Sequence, residues 1–296
     1  MKEKPFSKYQ ILANAVMIIW TLAIILPFIL LFMSSITDEN TLVANGYSFF
    51  PKKFSLASYS YIIKSGGQIL KAYGVSIGVT VVGTLLNVLL SALMAYPLSV
   101  KNLPRRNVMM FFVFFTMLFN GGIVPSYIMW TGTFHIKDTI FAQLLPNFLL
   151  SAWNVMMIRT YFTTSIPDGL YEAAEIDGAS QFTIFWKIVL PLGKPILVTM
   201  GTFAGLAYWN DWTNGLYYIV KNTGLYNVQN LLNQMVQNIQ FLTQSSNSNV
   251  TAAASTIPAT GIQMAIAFVA ILPIMLIFPS FQKYYAKGIA LGAVKG

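Results

Sequence analysis

Six long stretches of the chain run almost without charge, at about 11–36, 72–100, 107–130, 139–158, 195–218 and 259–282, with shorter polar segments between them. Apolar runs of about 18 residues or more require bilayer-spanning helices or a closed barrel, because hydrocarbon offers no partner to a free backbone N–H or C=O. The ten-residue alternation of barrel strands is absent, so the pattern predicts an all-α membrane protein with six transmembrane helices. The third stretch is interrupted by Asn120-Gly121-Gly122 and Pro125, which loosen a helix and expose carbonyls. Lining of a cavity and close helix packing both account for such a break.

Charge placement sets the expected orientation. Lys2, Lys4 and Lys8 precede the first stretch, which is too long for a signal h-region and has no clear small-residue cleavage site after it, so it reads as a retained span. Of 18 basic residues, 12 fall on one side in this arrangement, including Lys101, Arg105, Arg106, Arg159, Lys187, Lys194, Lys283 and Lys287. By the positive-inside rule that side is cytoplasmic, as are both termini. Lys101, Arg105 and Arg106 suit lipid headgroups there. The net charge of +9 therefore belongs to topology and implies no nucleic acid. The lone His135 lies in an expected outer loop and reads as solvated.

Between the fourth and fifth stretches, 165–191 forms a charged island expected to be a helix-turn-helix on the cytoplasmic surface. Ser165 is spaced to cap a first helix with Asp168 three residues on, and Pro167 suits a first turn. Asp168, Glu172 and Glu175 would share a face, Gly178 permits the turn, and Ser180 would cap a second helix bearing Phe182, Phe185, Trp186 and Val189, ended by Pro191. An amphipathic interfacial loop without a partner is the plain alternative.

Glu172-Ala173-Ala174, Gly178 four residues later, then Ile188 and Leu190-Pro191 resemble the cytoplasmic EAA signature of ABC importer permeases, with every signature position filled. The resemblance implies a type I ABC importer fold whose coupling segment docks in a cleft of an ATPase subunit. It assigns that contact to Glu172, Ala173, Ala174, Asp177, Gly178, Ala179, Phe182 and Phe185. The runs Pro167-Asp168-Gly169-Leu170-Tyr171 and Ile176-Asp177-Gly178-Ala179 resemble permeases for oligosaccharides such as aldouronates, pectin fragments and alginate. The implied setting is a bacterial cell membrane. The implied partners are a homologous second permease, two ABC ATPase subunits and an extracellular or lipoprotein solute-binding protein.

For a substrate path the fifth stretch is the richest. Trp209, Asn210, Asp211, Asn214 and Tyr217, with Asn120 from the third, offer rings and amides suited to a sugar, and Trp209-Asn210 resembles a recurrent pair in carbohydrate-importer permeases. An aromatic belt with a snorkelling acid accounts for them equally. From 221 to 257 the chain is polar but nearly uncharged and is expected to be an outer loop. In maltose-type permeases such a loop contacts the binding protein, which points to Gln244, Ser245, Ser246 and Asn247; a disordered loop fits the composition too.

There is no phosphate loop ending in Gly-Lys-Ser/Thr, no nucleophile with a base, no cysteine and no metal-ligand cluster in the sequence, so a non-enzymatic subunit is expected, without cofactor or metal of its own. ATP and Mg would act in the partner ATPase. Five of the six stretches contain no ionisable residue and the sixth has only Asp211, which disfavours an ion-coupled carrier. An ABC permease for peptides or amino acids would share the docking signature.

Overall fold

The computed structural model describes residues 8–64, 66–244 and 259–293. Among them the chain is helical, apart from an isolated antiparallel bridge between Thr37 and Phe54. In order come α1 (Lys8–Ser35), α2 (Glu39–Asn45), α3 (Ala57–Lys64), α4 (Gly66–Ser99), α5 (Arg106–Leu118), α6 (Ile123–Ile128) continuing as a π-turn to Thr133, α7 (Phe141–Leu144) and α8 (Ala152–Ser165). Then follow α9 (Asp168–Ile176), α10 (Gln181–Ile184), a π-helical turn (Phe185–Val189), α11 (Leu190–Leu192), α12 (Lys194–Asn210), α13 (Thr213–Tyr218), α14 (Val228–Gln244) and α15 (Ala259–Ala293).

Three helical segments are long and apolar enough to cross a membrane: Lys8–Ser35, Gly66–Ser99 and Thr260–Ile277. Two further pairs qualify together but are sharply bent, by 107° between Arg106–Leu118 and Ile123–Thr133 and by 79° between Gln181–Leu192 and Lys194–Asn210. The first bend falls at the Asn120-Gly121-Gly122 break, where Gly122 adopts φ +85°.

Three expectations change. The stretch 139–158 is not one helix: α7 ends at Leu144, Pro146 lacks a donor, Asn147 is left-handed at φ 68°, and α8 starts only at Ala152. The stretch 195–218 is broken at Asp211–Trp212. The segment 221–257 is not all loop, because Val228, Leu231, Leu232 and Met235 recur at helical spacing and their burial overrides the modest helix propensity of the intervening amides.

The chain divides into two compact units. One comprises the described parts of Met1–Ile69 and Leu232–Pro273. Its core is Ile62, Ile262, Ala265 and Ile266, covered by Tyr59, Leu232 and Met235. Phe32 lies against Phe268, with ring centroids 4.9 Å apart, and the Ser35 hydroxyl meets that of Tyr59 at 2.8 Å. Glu39 caps α15, its two oxygens accepting the Thr260 and Gly261 N–H groups at 2.8 Å each. A carboxylate there satisfies orphan donors and the positive end of the helix dipole together. Most of α1 is exposed and apolar all round, a surface that suits lipid.

The other unit comprises Leu70–Leu231 and the described part of Ile274–Gly296. Here α4 and α12 approach closely through small residues. Gly201 and Gly205 face Val88, Thr84 and Thr80, while Gly83 lies under the Tyr208 ring, where any Cβ would overlap the ring carbons. A continuous core joins Ala92, Ala95 and Leu98 of α4 to Val155, Ile158 and Phe162 of α8 and to Ile196 and Met200 of α12. Arg159, within α8, donates from Nε to the Leu98 carbonyl at 3.2 Å and so caps the C-terminal turn of α4.

Candidate functional site

Two sites expected from the sequence lie in this second unit. The first is the helical pair α9–α11. The chain leaves α8 through Ile166, extended as a residue before proline must be, and α9 starts at Asp168 with Pro167 at its N-cap. Ser165 is the last residue of α8 and does not cap α9, so the expected capping box is not formed. The end of α9 follows local rules closely. Gly178 sits at φ +73°, its N–H bonds the Glu175 carbonyl at 3.0 Å, and the Ala179 N–H bonds Ala174 at 2.9 Å, which together make a Schellman turn. Ser180 then caps α10, accepting the Thr183 N–H at 3.2 Å. Pro191 does not end this second helix. Ahead of it the helix widens into a π-turn, in which Leu190 N–H reaches back to Phe185, and the chain continues to Leu192.

Burial divides the expected contact residues. Gly169, Glu172, Ala173 and Ile176 form one exposed stripe at helical spacing on α9, with Ile176 86% exposed. Asp177 and Gly178 are exposed in the turn, Ala179 is half-buried, and Phe182 (66% exposed) and Trp186 continue the outward surface, their rings 6.0 Å apart. Phe185 and Ala174, expected on the contact surface, are core residues instead. Phe185 is 1% exposed and packs with Ile184 and Val189 against α4 and α8, its ring 5.4 Å from Tyr96. Ala174 turns inward, where a small side chain lets α9 approach the core.

Polar bonds tie the pair to the same base. Gln181 donates to Glu175 at 2.8 Å and accepts the Tyr96 hydroxyl at 2.5 Å, and Tyr171 stacks on Tyr96. Burial holds the Tyr171 hydroxyl above its usual pKa. Lys101, read from sequence as a headgroup contact, pairs with Asp168. Both groups are largely exposed, so the pair contributes under about 1 kcal/mol. Glu172 has no partner among the described residues. At the far end Gly193 makes the turn into α12, where a Cβ would lie 2.5 Å from the Phe162 ring. The result is a helical pair bonded firmly on one face and exposed on the other.

The second site surrounds the end of α12, and the structure sorts its residues differently from the sequence. Trp209 is buried, with its ring 6.3 Å from Tyr73. Asp211 Oδ1 accepts the Thr213 N–H and O–H at 3.0 and 2.6 Å and the Asn214 N–H at 3.4 Å, which bridges α12 to α13. Asn214 is fully buried, donating to the Pro146 carbonyl at 3.1 Å and accepting from Asn147 at 3.3 Å. These polar groups serve the interior. Asn210 and Tyr217 are exposed, and Asn120 is exposed in the α5–α6 break, accepting the Gly122 N–H at 2.8 Å.

Residues the sequence did not single out complete this network. Asn87 donates to the Phe148 carbonyl at 2.6 Å and accepts from Asn154 at 2.7 Å. Asn227 donates to the Asp211 carbonyl at 2.6 Å, Asn230 to that of Trp212, and Gln143 to Leu225 at 3.2 Å. Irregular backbone at membrane depth is tolerable only when protein satisfies it, and these amides do so. The available signal was uncharged Asn and Gln recurring beside Pro146 and the helix breaks. Near this network Asp138, left-handed at φ 60°, accepts the backbone N–H groups of Val220, Lys221 and Asn222 at 2.7, 2.7 and 3.2 Å. The Lys221 N–H foremost holds its carboxyl below the usual range. Of the expected binding-protein contacts, Gln244 ends α14, while Ser245, Ser246 and Asn247 lie outside the described residues.

Comparison with known proteins places this geometry. The family model of binding-protein-dependent transport system inner membrane components matches residues 72–291. Protein LplC of Bacillus subtilis is 36% identical over 272 residues, 92% of this chain and 90% of the relative. The polygalacturonan/rhamnogalacturonan transport system permease protein YtcP of the same organism is 35% identical over 288 residues, covering 97% and 98%. Among solved structures, a bacterial ABC transporter involved in the import of the acidic polysaccharide alginate includes a chain that superposes with a TM-score of 0.79 at 26% identity, covering 95% of this chain and all of that one. The family match over most of the length, together with these relatives and the like fold, shows that the chain belongs to the binding-protein-dependent transport system inner membrane components, the integral membrane permeases of ABC importers.

Proposed function

We propose that this chain is one permease of an ATP-driven importer for oligosaccharides, and that acidic ones such as pectin or alginate fragments are the first to test. The named substrates of the relatives support this: polygalacturonan and rhamnogalacturonan for one permease, alginate for the transporter of like fold. A homologous second permease would complete the path, two ATPase subunits would bind ATP and Mg, and an external solute-binding protein would deliver the sugar. In this reading both termini are cytoplasmic, and the spans number six if α7–α8 is counted as the fourth crossing.

The observation that carries the mechanism is the two-sided character of α9–α11. Its inner face is built into the core through Ala174, Ile184, Phe185 and Val189, while its outer face presents Glu172, Ala173, Ile176 and Phe182 as exposed side chains. A push on the outer face is passed to α4, α8 and α12 as a rigid displacement, because close-packed interiors transmit strain. ATPase closure would bias the spans between two packings by its differential contact with them. Co-purification with the ATPase subunits, followed by ATPase and uptake assays with binding protein and a panel of oligosaccharides, tests the reading. Stimulation by uronate oligomers is the expected result. Stimulation by peptides alone, or uptake under an ion gradient without ATP, would replace it.

A further inference from the structure

At the end of α12 the chain alternates in burial: Trp209 in, Asn210 out, Asp211 in, Trp212 out. The inward pair is occupied, Trp209 beside Tyr73 and Asp211 as the bridge to α13. The outward pair is not. Among the described residues neither the Asn210 amide nor the Trp212 indole N–H has a hydrogen-bond partner, and the Trp212 ring is 43% exposed and stacked on no other ring. Yet the backbone beneath is held tightly. The Asp211 carbonyl is fixed by Asn227, the Trp212 carbonyl by Asn230, and the turn carrying those amides is locked in turn by Asn230 N–H to Asn227 Oδ1 at 2.8 Å and Val228 N–H to Ser76 Oγ at 2.8 Å. A ring projected from so constrained a backbone has a fixed point of attachment, so only side-chain rotamer freedom, and no backbone ordering, opposes a ligand that stacks on it.

We propose that Trp212, with the Asn210 amide beside it in sequence, is a specificity-determining platform for the transported oligosaccharide. The inference rests on the oligosaccharide reading above and deepens it. An indole face offers a flat, polarisable surface to the C–H face of a pyranose, and its N–H and the Asn210 amide offer hydrogen bonds to hydroxyls. Acyl chains are a poorer occupant of this surface, because an unbonded amide gains nothing from them and costs free energy there; a place in the interfacial aromatic belt is the competing role that the variants below separate. Trp209, which the Trp-Asn resemblance favours, is on this view a packing residue that sets the end of α12.

The test uses the complete complex, with its partner permease, ATPases and binding protein, reconstituted in liposomes and supplied with trigalacturonate. Trp212→Ala is expected to lower uptake at saturating binding protein about tenfold, while the ATPase activity stimulated by binding protein stays within about twofold. Trp212→Phe should restore most uptake, because it keeps a stacking face; Trp212→Leu, of similar apolar bulk, should not. Uptake by the Leu variant equal to that of the Phe variant, or parallel loss of uptake and ATPase activity in all three variants, overturns the platform and returns Trp212 to lipid contact or packing. Should the wild-type complex import peptides but no oligosaccharide, the functional reading itself fails, and that outcome is visible before any variant is made.

Discussion

The helical pair α9–α11 and the broken end of α12 belong to the same compact unit and both mix polar with aromatic residues, but they are built by opposite means. The pair is specified by bonds between near neighbours: Gly178 and Ala179 to carbonyls three and five residues back, and Ser180 to a donor three residues on. Around the end of α12 the bonds join distant segments, Asn214 to Pro146, Asn87 to Phe148 and Val228 to Ser76. A locally specified element keeps its shape while it is pushed, which suits a lever. A cross-linked one fixes the relative positions of several chain segments, which suits the wall of a path.

The contrast is broken most severely at Phe185. Truncation to Ala removes a ring from the core under the lever and should cost about 3–5 kcal/mol of stability, while Phe182→Ala, three residues away and outward, should cost under about 0.5 kcal/mol yet weaken ATPase binding. Thermal unfolding in detergent and co-purification separate the two. Equal destabilisation would mean that the lever has no distinct inner and outer face. Next comes the cross-linked side. Asn87→Ala leaves the Phe148 carbonyl and the Asn154 amide unsatisfied and should cost about 2–3 kcal/mol, without altering ATPase binding in complexes that assemble.

A smaller cost in stability, though a large one in function, is expected at Gly178. A Cβ there meets nothing within 4 Å, so the penalty is backbone strain alone. Gly178→Val should cost about 1–2 kcal/mol and uncouple hydrolysis from uptake, whereas Gly178→Asn, which tolerates the left-handed region, should retain both. Normal transport by the Val variant would count against the lever. The smallest effect is at Asp138. Its pKa is lowered in the folded state, so its contribution is present above the ordinary carboxylate pKa and is lost as pH falls through the folded value. Protection factors for amide exchange at residues 220–222, which correct for the intrinsic rate at each pH, should therefore fall under acid, and Asp138→Asn should make them nearly independent of pH there.

How much was legible follows the same division. The membrane class, the break after Asn120, the Gly178 turn and the Ser180 cap were all readable, since each depends on composition or on residues within a few positions of one another. The exposed face of α9–α11 was half readable. Spacing placed Phe182 and Phe185 on one aromatic stripe, but which of the two points outward depends on α4 and α8 beneath them. The sugar-path candidates were the least legible. Trp209, Asp211 and Asn214 carry suitable chemistry, yet Trp209 is buried beside the distant Tyr73, the Asp211 carboxylate is taken up by Thr213 and Asn214, and Pro146 and Asn147 engage Asn214 in the interior.

By itself the sequence determined the solvent of this protein, its helical class and the turn at Gly178, because hydrocarbon imposes its demands segment by segment and a left-handed turn selects its own residue. Only the tertiary structure decided that 145–151 is irregular rather than part of one helix, that α14 exists, and that Trp212 rather than Trp209 faces outward. Those outcomes depend on which carbonyl is left unsatisfied and which distant amide reaches it, and no local pattern in the chain records that pairing.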